Sequence, residues 1–207
     1  MHVDEIWGQV PSDRPLDPVA VHFALDTVRS AKPPVDGPVR VLDLGCGDGR
    51  VTAELAGTGA RVTGADPSSV ALERARAAHP ELEFTVTAPD GVLPFADASF
   101  DAIVCLNVLQ HVADTQKLMS EVRRVHAPAG LLAVAVPLHG VIKNLAIALG
   151  SFERHHDPLE PVLRFYTKRS LTELLEQFGF EDVRLETIGG LPLVRETLLA
   201  RTRRGGP

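Results

Sequence analysis

Apolar residues recur along this chain with two different spacings, and the two alternate. Short, nearly continuous apolar runs at 39–43, 61–66, 82–86, 100–106 and 130–136 read as strands buried on both faces. Between them, at 50–57, 68–79 and 114–126, apolar residues recur at the spacing of one helix face. Ser68 and Ser69 ahead of VALERARAAH supply caps for the second of these helices, and Pro80 ends it. Upstream, Asp17 and Pro18 read as N-cap and first helical position of a helix to about Ser30, with Val21, Ala24, Leu25 and Val28 on one side. The segment KPPVDGP stops it. The residues before Asp17 read as an irregular, proline-rich arm carrying Trp7. Near the end, a helix from Ser170 to Phe178 is closed by Gly179 and followed by strands near 182–188 and 196–202.

Strand and helix in alternation predict a parallel sheet covered by helices on both faces, joined by right-handed crossovers. The expected fold class is α/β: one doubly wound, mostly parallel, seven-stranded Rossmann-like domain over 1–207. Its expected parts are an N-terminal arm and helix at 1–38, a ligand-binding core at 39–136, an insertion at 137–166, and C-terminal helix and strands at 167–207. The insertion is long for a plain connection. Within it Val141, Ile142, Leu145, Leu149 and Phe152 recur at helical spacing, which predicts a helical lid after the fifth strand. Phe165 and Tyr166 are candidates to line a pocket beneath it.

Composition narrows the function classes. The chain has 207 residues, 44% of them hydrophobic and 23% charged, which fits a single globular domain. Its net charge is −6 and no block of Lys or Arg is long enough for a nucleic-acid footprint. The RTRR at 201–204 reads as a solvated end. No apolar run approaches the roughly 18 residues of a membrane helix. Cys46 and Cys105 sit in apolar contexts and no signal-peptide pattern precedes them, so a reducing, cytoplasmic setting is expected, with both cysteines as buried small hydrophobes. Monomer or homodimer is the expected state.

The chemistry begins at VLDLGCGDGR, Val41 to Arg50. A buried strand runs into Gly45, Gly47 and Gly49, which let the backbone turn into a helix and approach a nucleoside-containing ligand, with N–H groups expected to point outward at the helix start. The dinucleotide fingerprint needs a third small residue where Arg50 stands, so G-x-G-x-x-G fails and G-x-G-x-G remains. Asp43 beside the turn would repel pyrophosphate and favour a cation. Asp66 ends the next strand, where a carboxylate can accept two ribose hydroxyls.

The spacing D-x-G-x-G-x-G, followed by VTGADPS and LPFADASFDAIVCLNVLQHV, resembles the class I methyltransferases that use S-adenosylmethionine, most of all the ubiquinone and menaquinone biosynthesis group. The resemblance spans roughly Val39 to Val136. It implies S-adenosyl-L-methionine as cofactor and a cofactor-binding set of Asp43, Gly45, Cys46, Gly47, Gly49, Asp66, Pro67, Asp90, Gly91, Leu106 and Asn107. Asp90 is displaced by one position from the usual adenine-contacting acid, whose place Pro89 takes. Gln110-His111 stands where many relatives have Glu-His, so a role needing a carboxylate there is lost.

Histidine suits deprotonation of a phenol or similar acceptor near neutral pH. His139, His111 and His155 are the candidates for a catalytic base. His155-His156-Asp157 with Glu160 invites a metal reading, but adjacent side chains seldom converge on one ion and Pro158 interrupts a helical face, so no metal is expected. The resemblance thus implies a methyltransferase acting on a small-molecule acceptor. O-methylation is the first reading, in secondary or quinone-type metabolism. N- or C-methylation and a catalytically silent binding protein are the alternatives.

Overall fold

The fourth strand, Phe100–Leu106, shows why the apolar runs become central strands. Ala102 and Val104 enter one core cluster, Ile103 and Cys105 the other, and all four are buried. That is the two-residue alternation of a strand with protein on both sides. The computed structural model describes residues 3–9, 15–33, 37–89, 91–139, 149, 162–190 and 196–206. Seven strands lie in it: β1 (Arg40–Leu44), β2 (Arg61–Asp66), β3 (Glu83–Val86), β4 (Phe100–Leu106), β5 (His126–Pro137), β6 (Phe180–Ile188) and β7 (Thr197–Arg204). They form one sheet in the order β3-β2-β1-β4-β5-β7-β6. Only β7 runs against the others, pairing antiparallel with both β5 and β6.

Six helices accompany the strands among the described residues: α1 (Val3–Gln9), α2 (Pro18–Ser30), α3 (Arg50–Ala56), α4 (Ser69–Ala78), α5 (Thr115–Val125) and α6 (Lys168–Gln177). Phe23 and Val28 of α2 and Leu55 of α3 pack on one sheet face with Val41, Val62 and Val104. Leu118, Met119 and Val122 of α5 and Leu171 and Leu175 of α6 pack on the other with Leu42, Ile103 and Leu132. The caps read in the sequence are present. The Asp17 carboxylate accepts the Val19 and Ala20 N–H groups, and Ser68 Oγ accepts that of Ala71.

Two expectations change. The proline-rich start is not wholly irregular, because residues 3–9 form α1. Its sequence has weak helix signals, and the helix is held from outside, by contacts with α4. β5 starts at His126 rather than near 130, since His126 already pairs with Phe100 before an irregularity that includes Ala129 at φ 59°. The helical lid expected at 137–166 falls largely outside the described residues.

Strand order reverses between β1 and β4, both of which start chains of parallel neighbours running to opposite sides. The carboxyl ends at this reversal are the usual ligand position in such sheets. The amino ends are fastened separately: the Asp101 carboxylate, at the start of β4, accepts from the Arg40 backbone N–H and from its guanidinium at 2.7–3.0 Å.

Candidate functional site

β1 delivers Asp43 to the carboxyl edge and the chain then turns through Gly45, Gly47 and Gly49, all at positive φ (74°, 56° and 81°). All three are also required by close neighbours, Gly49 by Phe84, 2.8 Å from where its Cβ would lie. A Cβ on Gly45 would lie 2.2 Å from Val108 Cγ2, and one on Gly47 would lie 2.4 Å from the indole of Trp7. The turn is therefore pressed between the β4 exit and α1.

Four of its N–H groups point inward. Gly45 and Cys46 donate to the Ala65 carbonyl (2.7 and 3.1 Å), Gly47 donates to the Asp66 carboxylate (3.0 Å), and Gly49 donates to the Cys46 carbonyl (3.1 Å). The donors are spent inside the loop, on β2 and on the turn itself. An anion-binding nest needs such donors free, so this turn is a poor pyrophosphate cradle and a good brace for Asp66.

Asp66 closes β2 and is 4% exposed. One carboxylate oxygen takes the Gly47 N–H and the other takes the Ser68 N–H (2.9 Å). Each oxygen has a second lone pair, so two further donors can be accepted. Burial raises its pKa, while the Ser68 and Gly47 hydrogen bonds pull it back down. Asp43 is 2% exposed and receives one hydrogen bond, from Thr52 Oγ1 of α3 at 2.7 Å. Burial pushes its carboxyl up to about 7, against the Thr52 hydrogen bond and with help from repulsion by Asp66. Two buried acids, with Asp66 raising the pKa of Asp43, form a site that a positive ligand relieves and an anion aggravates.

The other expected positions distribute around this pair. Pro67 is half-buried in the turn after Asp66, and Gly91 sits at φ 87° in the loop after β3. Asp90 lies outside the described residues. Leu106 is half-buried, and Asn107 is exposed at φ 58°, its N–H bonded to the Ala135 carbonyl at 2.8 Å. A non-glycine residue held in the left-handed region at the carboxyl edge marks a place where backbone shape matters. Cys46 and Cys105 are buried free thiols; burial pushes Cys105 up to about 12 and Cys46 upward too, so neither is a nucleophile near neutral pH.

The histidines separate. His139 follows β5, half-buried, with its ring edge-on to Phe165 at 4.4 Å and its N–H bonded to the Tyr166 carbonyl. β4 lies between β5 and β1, so His139 stands about 10 Å across the sheet from the glycine turn. His111 is exposed at the end of the short 3-10 turn Leu109–His111. His155 lies outside the described residues. Tyr166 is buried, its hydroxyl donating to the Leu109 carbonyl at 3.3 Å, while Phe165 is partly exposed. Both border a cleft of about 490 Å³ with Asp114, Thr115 and Leu174. None of its lining residues belongs to the glycine turn or the Asp66 turn.

Sequence reasoning missed two partners: Thr52, which holds Asp43, and Asp4 of α1. The Asp4 carboxylate accepts from Ser68 Oγ (2.7 Å), Ser69 Oγ (3.3 Å) and the Val70 N–H (3.4 Å). Neither carries a motif; each is recruited by the fold.

Comparison with known proteins meets this geometry. A family model described as a methyltransferase domain matches residues 42–134. A ubiquinone biosynthesis O-methyltransferase of Rhizobium leguminosarum bv. trifolii is 33% identical over 165 residues, covering 72% of this chain and 64% of the relative. A demethylmenaquinone methyltransferase of Tropheryma whipplei is 34% identical over 158 residues, covering 69% and 66%. The chain spans less than two thirds of the length of these curated relatives. A solved S-adenosylmethionine-dependent methyltransferase of Methanosarcina mazei superposes with a TM-score of 0.67 at 22% identity, covering 92% of this chain and 98% of that one. At that identity the likeness speaks for the fold.

Proposed function

The chain belongs to the class I S-adenosylmethionine-dependent methyltransferase superfamily, and on that premise we propose that it moves a methyl group from S-adenosylmethionine to an oxygen of a small-molecule acceptor. The observation that carries the reading is the pair of buried acids, Asp43 and Asp66, around a turn in which the Gly45, Cys46, Gly47 and Gly49 N–H groups are already engaged. That environment fits a cationic nucleoside and disfavours a pyrophosphate. When bound, the cofactor supplies an electrophilic methyl group on a sulfonium.

The chain's own residues divide the remaining work. Asp66 accepts two ribose hydroxyls on its free lone pairs while its other two hold Gly47 and Ser68 in place. Asp43, ionised in the presence of a cation, balances charge from below the turn. Pro67 and Gly91 border the base end, and Leu106 and Asn107 border the amino-acid end. On the β5 side His139 accepts the acceptor's hydroxyl proton on a ring nitrogen, its ring oriented by Phe165. Alignment and exclusion of water supply most of the acceleration, because displacement at a methyl carbon needs little else from the protein. The O-methyl choice draws on the ubiquinone relative, and a phenolic or quinol acceptor is the class it suggests.

Release of S-adenosylhomocysteine across a panel of phenols, amines and carbon acids tests this. The reading expects transfer to a phenol and about a 100-fold loss in His139→Ala with unchanged cofactor affinity. Matched rates for His139→Ala and wild type across pH would remove His139 as base. Transfer only to amines or carbon acids would overturn the oxygen assignment.

A further inference from the structure

α1 is short, yet it touches both halves of the site just described. Through Asp4 it is fastened to the start of α4: the carboxylate accepts from Ser68 Oγ at 2.7 Å, Ser69 Oγ at 3.3 Å and the Val70 N–H at 3.4 Å. Through Trp7 it covers the glycine turn, with the indole so close to Gly47 that a Cβ there would lie 2.4 Å from it. Ser68 immediately follows the Asp66-Pro67 turn, so the two fastenings straddle the carboxylate that is to receive the ribose. With α1 seated, Asp66 is 4% exposed and Gly47 is buried. A nucleoside cannot reach a carboxylate so enclosed without something moving.

The candidate to move is identifiable on energetic grounds. Gly47 and Asp66 belong to the strand-turn-helix frame, whose hydrogen bonds run back into β2. α1 has seven residues, too few to be stable as an isolated helix. Among the elements, its packing contacts are with α4. We propose that α1 is a strap over the cofactor site, pinned by Asp4 and Trp7, which lifts to admit the cofactor and reseats to retain it. Asp4 is a positioning residue in this scheme, acting through the capping serine. It also brings a carboxylate near Asp66, raising the charge cost of the closed, empty state. A cationic ligand lowers that cost, so reseating over the bound cofactor is favoured over reseating on the empty turn.

The inference rests on the methyl-donor reading, and its test keeps the two apart. Trp7 is the only tryptophan in the chain, so its emission reports the strap directly. S-adenosylmethionine is titrated into wild-type protein by calorimetry and, in parallel, by tryptophan fluorescence in a stopped-flow instrument. The strap predicts a saturable emission change with the same midpoint as the heat. In Asp4→Ala, the loss of charge-assisted hydrogen bonds raises the open fraction, so association and dissociation rates both rise by about tenfold while Kd moves much less. Asp4→Asn, which keeps an acceptor oxygen for Ser68, falls between the two. A merely structural lesion would slow association rather than speed it. Heat without any emission change, or Asp4→Ala rates equal to wild type, overturns the strap and leaves the methyl-donor reading standing. Absence of heat with wild-type protein overturns that reading, and the strap with it.

Discussion

Asp43 holds the sharpest residue-level consequence of the site. Its carboxyl is raised to about 7 by burial, with one hydrogen bond from Thr52 in partial compensation. The folded chain thus retains a proton that the unfolded chain releases near pH 4, so this residue's contribution to stability falls as pH rises from about 4 through 7. Asp43→Asn keeps an oxygen for Thr52 and removes the titration. The ligand-free variant is expected to be more stable than wild type by roughly 1–3 kcal/mol at pH 8, with the advantage shrinking as pH falls toward 4. Denaturant midpoints at both pH values check this, and a constant difference would refute it. The same substitution should weaken S-adenosylmethionine binding, and wild-type affinity should rise with pH through about 7 as the acid ionises. At this scale the sequence exposed the residues that carry motifs, Asp43, Asp66 and the three glycines. It hid Thr52 and Asp4, because a residue chosen for one distant neighbour leaves no periodic trace. It also misled on the loop N–H groups, since which carbonyl takes a donor is decided by the adjoining strand.

Elements were legible where a period repeats. The apolar runs and helical stripes set β1 through β5 and α2 through α5 because burial on two faces or one dictates residue type at every position. α1 escaped, since its helix is stabilised by α4 rather than by its own seven residues. The early start of β5 escaped too, since a strand that resumes across an irregularity at Ala129 loses its alternation there. The fastening of β1 to β4 makes an element-scale prediction. Asp101 is buried and takes three hydrogen bonds from Arg40; burial would raise its pKa, but those bonds more than offset it and leave it lowered. Arg40 is 39% exposed, which dilutes the pair. Asp101→Asn is expected to cost about 1–3 kcal/mol in stability. Cofactor affinity should be unchanged, because the lesion lies at the amino edge of the sheet, away from the candidate site. Paired thermal melts and calorimetry check it. An affinity loss equal to the stability loss would mean that the two edges are coupled.

At the scale of the whole molecule, strand order and site chemistry act together. The strand order reverses between β1 and β4, and two buried acids, Asp43 and Asp66, lie at the carboxyl ends of β1 and β2 beside that reversal. A fold shared by many activities does not choose a ligand, whereas two buried carboxylates favour a cation over an anion. The acceptor side is less legible: the segment between β5 and α6 was read as a lid from its helical spacing, and a spacing says that a face is covered without saying by what. The account stands on the donor side, where Asp66 braces the turn and is proposed to receive the ribose. Its most direct test is calorimetric titration of S-adenosylmethionine into wild-type protein and Asp66→Asn, a change that removes the charge and keeps an acceptor oxygen for one of the Gly47 and Ser68 N–H groups. The account predicts saturable binding to wild type and an affinity lower by about 10- to 100-fold in the variant. Equal affinity in the two proteins, or no binding by wild type, would contradict it.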